Sequence, residues 1–334
     1  MKYLIQFVAG TQSIVTEVLA RAVPDVSVIH ADDSTLVFES SARIQNASKL
    51  PFANNVFVVL ASTPRKDIAQ SAHRLVSKIE RVDFPREKGE DRGFRIMAQI
   101  DGQLVPVEPR VRRDLEREIE VFTQARVQAK GSCREYWIVG RRTFGELLFC
   151  LRLPKSRKRE AGKGELAHEL SQMLVATSRP DKSDRFLDPF AGMGGLVLAR
   201  LEVPAQSISY SDIALPSLAG KLPRALKSNR RVRLMAEDAL SLPSIGDGEI
   251  DVIVTDPPWG EYGHMSMGYQ SFVHGMTESF NRVLHPTSGR FVILSSRRQC
   301  RTITASLTSR RFNIQDTLDI LVNGHPASVI VGSR

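Results

Sequence analysis

From residue 165 to the C-terminus, short apolar runs alternate with stretches whose apolar positions recur at helical spacing. RFLDPF, SISYSDIA, VRLMAEDAL, DVIVTDPPW and RFVILSS read as strands. ELAHELSQMLVAT, GGLVLARL, a broken PSLAGKLPRALKSN, SFVHGMTESFNRVL and TITASLTSRR read as the helices between them. Regular alternation predicts an α/β fold with a doubly wound, largely parallel, Rossmann-like sheet. FNIQDTLDILV and ASVIVGSR, joined by NGHP, predict a hairpin at one edge.

The first half has a different rhythm. KYLIQFVAG, DVSVIHADDSTLVFES and NNVFVVLASTP are strand-like, while QSIVTEVLARAV and SARIQNASKL are helix-like. This order predicts a small α+β domain of the ferredoxin-like kind over residues 1–84, closed by a helix with apolar positions at Ile68, Leu75, Val76 and Ile79. After the polar break PREKGEDRG, a second α+β module over 85–153 runs from FRIMAQID through the helix EPRVRRDLEREIEVFTQA to the strands of YWIVGRRTFGELLFCLRL. The basic, apolar-poor stretch 154–164 reads as a linker to the domain at 165–334.

Composition adds three constraints. No run approaches the roughly 18 apolar residues of a membrane span, and the N-terminus has the pattern of a strand rather than of a signal peptide. The three cysteines, Cys133, Cys150 and Cys300, lack the paired spacing of a zinc site. So sparse a count suits reduced thiols in the cytoplasm, and no metal is expected. The net charge is +9, and residues 1–160 carry most of it, with 27 Lys and Arg against 20 Asp and Glu. The basic residues are densest over 130–159, around Arg141, Arg142 and PKSRKRE. Such a field attracts a polyanion, although a solvated basic surface is the plainer reading of any one run.

Two motifs stand at strand exits, where ligands bind on doubly wound sheets. In DPFAGMGG, Gly192, Gly194 and Gly195 remove side chains so that backbone can approach a ligand. The spacing lacks the third glycine of a dinucleotide fingerprint, and the carboxylate of Asp188 would repel a pyrophosphate. It suits a ligand with an ammonium or sulfonium group. Asp212 follows the next strand, where a carboxylate can accept ribose hydroxyls, and Asp238, with Ala239 beside it, ends the strand after that at the height of an adenine. Each Asp alone is equally a turn or cap residue. Together with Phe190 in the loop they describe a site for S-adenosylmethionine.

The second motif is DPPW. Pro257 and Pro258 stiffen the backbone and remove two N–H donors, so that carbonyl groups remain free to accept. An Asp256 carboxylate and a Pro257 carbonyl could take both protons of an exocyclic amine, while Trp259 offers a face to a splayed base. A structural Pro-Pro turn with a core tryptophan is the alternative. His168, His264, Arg297 and Arg298 are weaker candidates, each equally at home on a solvated surface.

DPFAGMGG with TDPPWG, behind a basic α+β half, resembles the THUMP-domain RNA guanine-N2 methyltransferases across essentially the whole chain. The resemblance implies a THUMP-like RNA-binding module at 85–153 and a class I methyltransferase domain at 165–334. It implies that the Asp188–Gly195 loop holds the methionine part, Asp212 the ribose and Asp238 the adenine, with Asp256, Pro257, Pro258 and Trp259 at the target amine. The implied substrate is RNA, specifically tRNA; the sequence gives no sign of a small activator protein. An adenine-N6 methyltransferase on DNA or RNA is the rival enzyme reading, since DPPW suits that amine too. Met193 and Gly195 depart from the family's usual loop, and they motivate a third reading, an RNA-binding protein whose methyltransferase domain has decayed.

Overall fold

Strict alternation along three adjacent strands builds the C-terminal unit. In the computed structural model, which describes residues 1–47, 49–79, 93–131, 133–154, 162, 165–261 and 267–334, Phe186, Val252, Val254, Val292 and Leu294 enter one core. Their neighbours Leu187, Ile253, Phe291 and Ile293 enter a second core. Successive side chains of a strand point to opposite faces, so a run that is apolar throughout needs cover on both sides. The chain divides into two units, Met1–Phe7 with Leu19–Arg157, and Val8–Val18 with Lys158–Arg334.

The first unit contains β1 (Lys2–Gln6), β2 (Ser27–Ala31), β3 (Thr35–Glu39), α2 (Ile44–Ala47), β4 (Asn55–Pro64) and α3 (Ile68–Ile79); α1 (Gln12–Ala22) runs across the division. It continues through β5 (Gly93–Ile100), β6 (Gln103–Val105), α4 (Pro109–Thr123), β7 (Arg126–Val127), β8 (Arg134–Gly140) and β9 (Glu146–Arg152). All nine strands form one sheet in the order β2-β3-β1-β4-β9-β8-β5-β6, with β7 on β5. The antiparallel pairing of β4 with β9 joins the strands read as ferredoxin-like to those of the following module without a break. The short β6 and β7 escaped sequence reading because two or three residues carry no period. On one face, Ala72 and Leu75 of α3 and Val111, Leu115 and Ile119 of α4 pack on Phe94, Ile96, Tyr136 and Phe149. The first turn of α4 is capped by the Glu108 carboxylate, which accepts from the Arg110 and Val111 amides at 3.1 and 2.9 Å.

The second unit runs through α5 (His168–Thr177), β10 (Arg185–Asp188), α6 (Gly195–Leu201), β11 (Ser207–Ser211), α7 (Leu215–Leu218), α8 (Arg224–Ser228) and β12 (Val232–Met235). It ends with β13 (Val252–Thr255), α9 (Tyr269–Val283), β14 (Arg290–Ser296), α10 (Cys300–Ser309), β15 (Asn313–Val322) and β16 (His325–Ser333). The sheet order is β12-β11-β10-β13-β14-β16-β15. The first five strands are parallel, and β16 pairs antiparallel with both β14 and β15. This is the class I methyltransferase fold, with the expected hairpin at its edge. From β10 the chain winds outward to β12 and then returns to the other side of β10 as β13. The crevice between the carboxyl ends of β10 and β13 is therefore the switch point at which such sheets bind ligands. Two elements are shorter than their apolar pattern predicts. The helix at 165 begins only at His168. The strand VRLMAEDAL stops at Met235, because Asp238 turns the chain by accepting from the Leu240 amide at 2.9 Å. Asp238 thus lies in the loop beyond β12 and does not end the strand.

Candidate active site

β10 ends on Asp188, and the chain must leave the sheet there because Pro189 cannot continue the ladder. The loop then turns through Gly192 (φ 50°) and Gly194 (φ 81°). A Cβ on Gly194 would stand 2.2 Å from Leu226 Cδ1, whereas above Gly192 the space is open. Two bonds shape the loop at Gly192. Its amide donates to Asp212 Oδ2 at 2.7 Å, and its carbonyl accepts from the Tyr210 hydroxyl at 2.5 Å. Asp212 Oδ1 takes the Ala214 amide at 2.8 Å. Asp212 therefore holds the glycine loop as well as standing on the cleft wall.

Asp188 is buried beneath this loop and is not itself on the cleft wall. Its Oδ1 accepts from Thr255 Oγ1 at 2.8 Å and from the Phe190 amide at 3.3 Å. Burial pushes its carboxyl up to about 8. The two hydrogen bonds act against that rise, and the nearby charges of Asp256 and Asp212 add to it. Two carboxylates that raise a third in this way form an environment that favours a cation.

β13 ends at Thr255, and the prolines behind it stop further pairing. The DPPW turn is fixed from within by Trp259 Nε1, which donates to Asp256 Oδ1 at 2.9 Å. Trp259 is half-buried against the core beneath the sheet's α5–α6 face, so its ring is committed partly to packing. Asp256 Oδ2 carries no hydrogen bond from any described residue. Burial raises the Asp256 carboxyl to about 7, with the Trp259 bond opposing. Gly260, at φ 69°, closes the turn. A Cβ there would lie 2.4 Å from the Tyr269 ring, so only glycine lets the start of α9 press against it.

These pieces share one cleft of about 800 Å³, ample for a cofactor-sized ligand. Phe190, Asp212, Asp238, Ala239, Asp256, Pro257, Pro258 and Trp259 all line it, whereas Gly192 and Gly194 shape the loop behind the wall. Sequence reasoning missed Phe272, which lies 5.7 Å from the Phe190 ring, and the hairpin tip with Asn323 and His325. Asn323-Gly324 was visible as a turn, with φ of 51° and 85°, but no local signal places that turn at the cleft. Thr255 was legible only as a strand residue. His168 faces Glu202 at 3.8 Å, and Arg297 meets Asp319 at 3.3 Å; neither lines the cleft. His264 lies outside the described residues. Among those residues, no cluster of His, Cys, Asp or Glu could hold a metal.

The cleft suits S-adenosylmethionine on its own chemistry. Carboxylates beyond three successive strands stand on its wall, and behind that wall lie a positive-φ glycine and a buried acid that a cationic ligand would relieve. The fold is that of the class I methyltransferases. Residues 223–317 match the family model "UPF0020: RMKL-like, methyltransferase domain". Over 144 residues the chain is 26% identical to "Ribosomal RNA small subunit methyltransferase A" of Synechococcus sp. (strain RCC307), covering 42% of this chain; it spans about half, 50%, of that curated relative's length. Its fold matches TrmN from Thermus thermophilus with a TM-score of 0.73 at 18% identity, over 100% of both chains. It also matches the SMU.472 protein, solved complexed with SAH, with a TM-score of 0.66 at 12% identity, over 100% of this chain and 98% of that one. A predicted N6-adenine-specific DNA methylase from Listeria monocytogenes str. 4b F2365 matches with a TM-score of 0.65 at 12% identity, over 99% and 95% of the two chains. The chain thus combines a fold of the class I methyltransferase kind with a methyltransferase-domain match over residues 223–317.

Proposed function

We propose that the enzyme methylates an exocyclic amine of RNA, with guanine N2 of tRNA as the target. The observation that supports it is that the DPPW turn stands on the same cleft wall as Phe190, Asp212 and Asp238. In this reading Phe190 and the Asp188–Gly195 loop hold the methionine end of the cofactor, Asp212 the ribose, and Asp238 with Ala239 the adenine. Bound S-adenosylmethionine supplies the methyl group. Asp256 Oδ2 and the Pro257 carbonyl accept the two amine protons, which directs the nitrogen lone pair toward the methyl. Methylation replaces one N–H by N–CH₃ and releases a proton. A carboxyl raised to about 7 is well matched to receive it near neutral pH. Pro258 keeps the turn stiff, and Trp259 holds Asp256 in place while offering its remaining exposed face to the base.

RNA as substrate is supported by the charge excess of residues 1–160 and by the name of the Synechococcus relative. Residues 85–153, the THUMP-like module, would grip the tRNA. Wild-type enzyme, Asp256→Ala and Asp256→Asn incubated with total RNA and labelled cofactor test the reading by nucleoside mass analysis. We expect N2-methylguanosine from the wild type and a rate at least about 100-fold lower from both variants. Equal signal from Asp256→Ala would remove Asp256 from the chemistry. Label appearing only as N6-methyladenine, or only in duplex DNA offered alongside, would replace the guanine assignment.

A further inference from the structure

The hydrogen bond from Thr255 to Asp188 joins the two motifs at the switch point. The residues are separated by 67 positions in sequence, and the bond is buried at both ends, with Thr255 fully enclosed and Asp188 1% exposed. A threonine in the last position of a fully buried strand could be replaced sterically by valine, which is the better strand former there. The hydroxyl is the only difference, and it is spent on one carboxylate oxygen. Both donors to Asp188, Thr255 Oγ1 and the Phe190 amide, reach Oδ1; Oδ2 takes no hydrogen bond from any described residue.

We propose that Thr255 is a positioning residue for cofactor binding, whose hydroxyl orients the Asp188 carboxyl beneath the glycine loop toward a cationic group of S-adenosylmethionine. This rests on the reading of Asp188 as a cofactor carboxylate. The physical need is plain: a carboxylate out of water is costly unless donors satisfy it, and among the described residues no cation does so. The other titratable groups acting on Asp188 are Asp256 beyond β13 and Asp212 beyond β11, both of which oppose its ionisation, and Tyr210 of β11. Burial is the largest force toward the protonated form, and the Thr255 bond is the largest force against it. Because Thr255 directly precedes Asp256, the same hydroxyl ties the acceptor turn to the cofactor loop.

The experiment is calorimetric titration of S-adenosylmethionine into the full-length wild type, Thr255→Val, Thr255→Ser and Asp188→Asn across roughly pH 6 to 9. Affinity of the wild type should rise with pH as Asp188 ionises. Thr255→Val should bind about tenfold more weakly near pH 7, and the midpoint of its pH dependence should move up by about one unit, the equivalent of that factor. Thr255→Ser restores the donor and should restore both. In an Asp188→Asn background, Thr255→Val should change nothing further. Should the valine variant not fold, Thr255→Cys, a weaker donor of similar size, should fall between wild type and Asp188→Asn. Wild-type affinity and an unmoved midpoint in Thr255→Val, with Asp188→Asn impaired, overturn the role of Thr255 alone. An unimpaired Asp188→Asn overturns it together with the cofactor reading of Asp188.

Discussion

At the scale of single residues, the site keeps Asp188 buried and Asp256 half-buried, and pH should expose that. A carboxyl held at about 8 when folded, against about 3.9 in the unfolded chain, carries a proton between those values that the unfolded chain has lost. Folding stability therefore falls as pH rises through this window and levels off above about pH 8. Asp256, raised to about 7, contributes in the same direction. Asp188→Asn keeps an oxygen for Thr255 and the Phe190 amide but has no charge to bury. Its urea midpoint should gain on that of the wild type between about pH 5 and pH 8.5, by at least about 1 kcal/mol of stability. If the two denaturation curves run parallel with pH, Asp188 is not held in the raised state. The departures at Met193 and Gly195 leave the loop's frame untouched, since its shape comes from Gly192, Gly194, Asp212 and Tyr210.

At the scale of elements, the far end of the same strands is held by charge. Arg200 of α6 is completely buried and donates to the carbonyls of Val203, Pro204 and Asp181 and to Asp184 Oδ2 at 3.1 Å. Arg290, which opens β14, donates to both Asp184 oxygens at 2.7 Å. One carboxylate thus ties α6 and β14 to the start of β10. Removing one partner of a buried pair leaves the other charge uncompensated, at a cost of about 3–5 kcal/mol. Asp184→Ala should lose stability of that order in urea unfolding, while cofactor affinity measured below the transition stays close to wild type. A loss below about 1 kcal/mol would mean that the carbonyls alone satisfy Arg200. Legibility was mixed here. The elements were visible because apolar periodicity is local, yet Arg200 reads as a polar position on GGLVLARL, and nothing nearby in the chain announces its partners.

At the scale of the whole molecule, the +9 charge looks different once its partners are known. Arg141 sits 3.7 Å from Asp32 and donates to Thr35 Oγ1 at 2.8 Å. Arg95 and Arg152 both meet the buried Glu135, and Arg65 pairs with Asp101 at 2.7 Å. Part of the basic density over 130–159 is therefore spent inside the protein. Arg142 remains 89% exposed beside Asp101, and most of PKSRKRE lies outside the described residues. RNA association should still weaken steeply with salt, by at least about tenfold between roughly 50 and 200 mM. Arg142→Ala should flatten the log–log slope by about one, whereas Arg152→Ala should disturb stability more than slope. Filter retention of labelled tRNA across a salt series checks this, and salt-independent binding would exclude the polyanion reading.

Sequence alone was sufficient for the order of strands and helices in residues 165–334, the edge hairpin and the two motifs at strand exits. Each depends on neighbours a few residues apart: period-2 and period-3.6 patterns, proline's missing donor, glycine's positive φ. Tertiary structure decided which side of β10 receives β13, and with it every contact between the motifs. The Thr255–Asp188 bond, the seat of the glycine loop on Asp212 and Tyr210, and the hairpin tip at the cleft all follow from that return crossing. Such contacts are set by which apolar faces can be buried together across long stretches of chain. No short stretch of sequence carries that information.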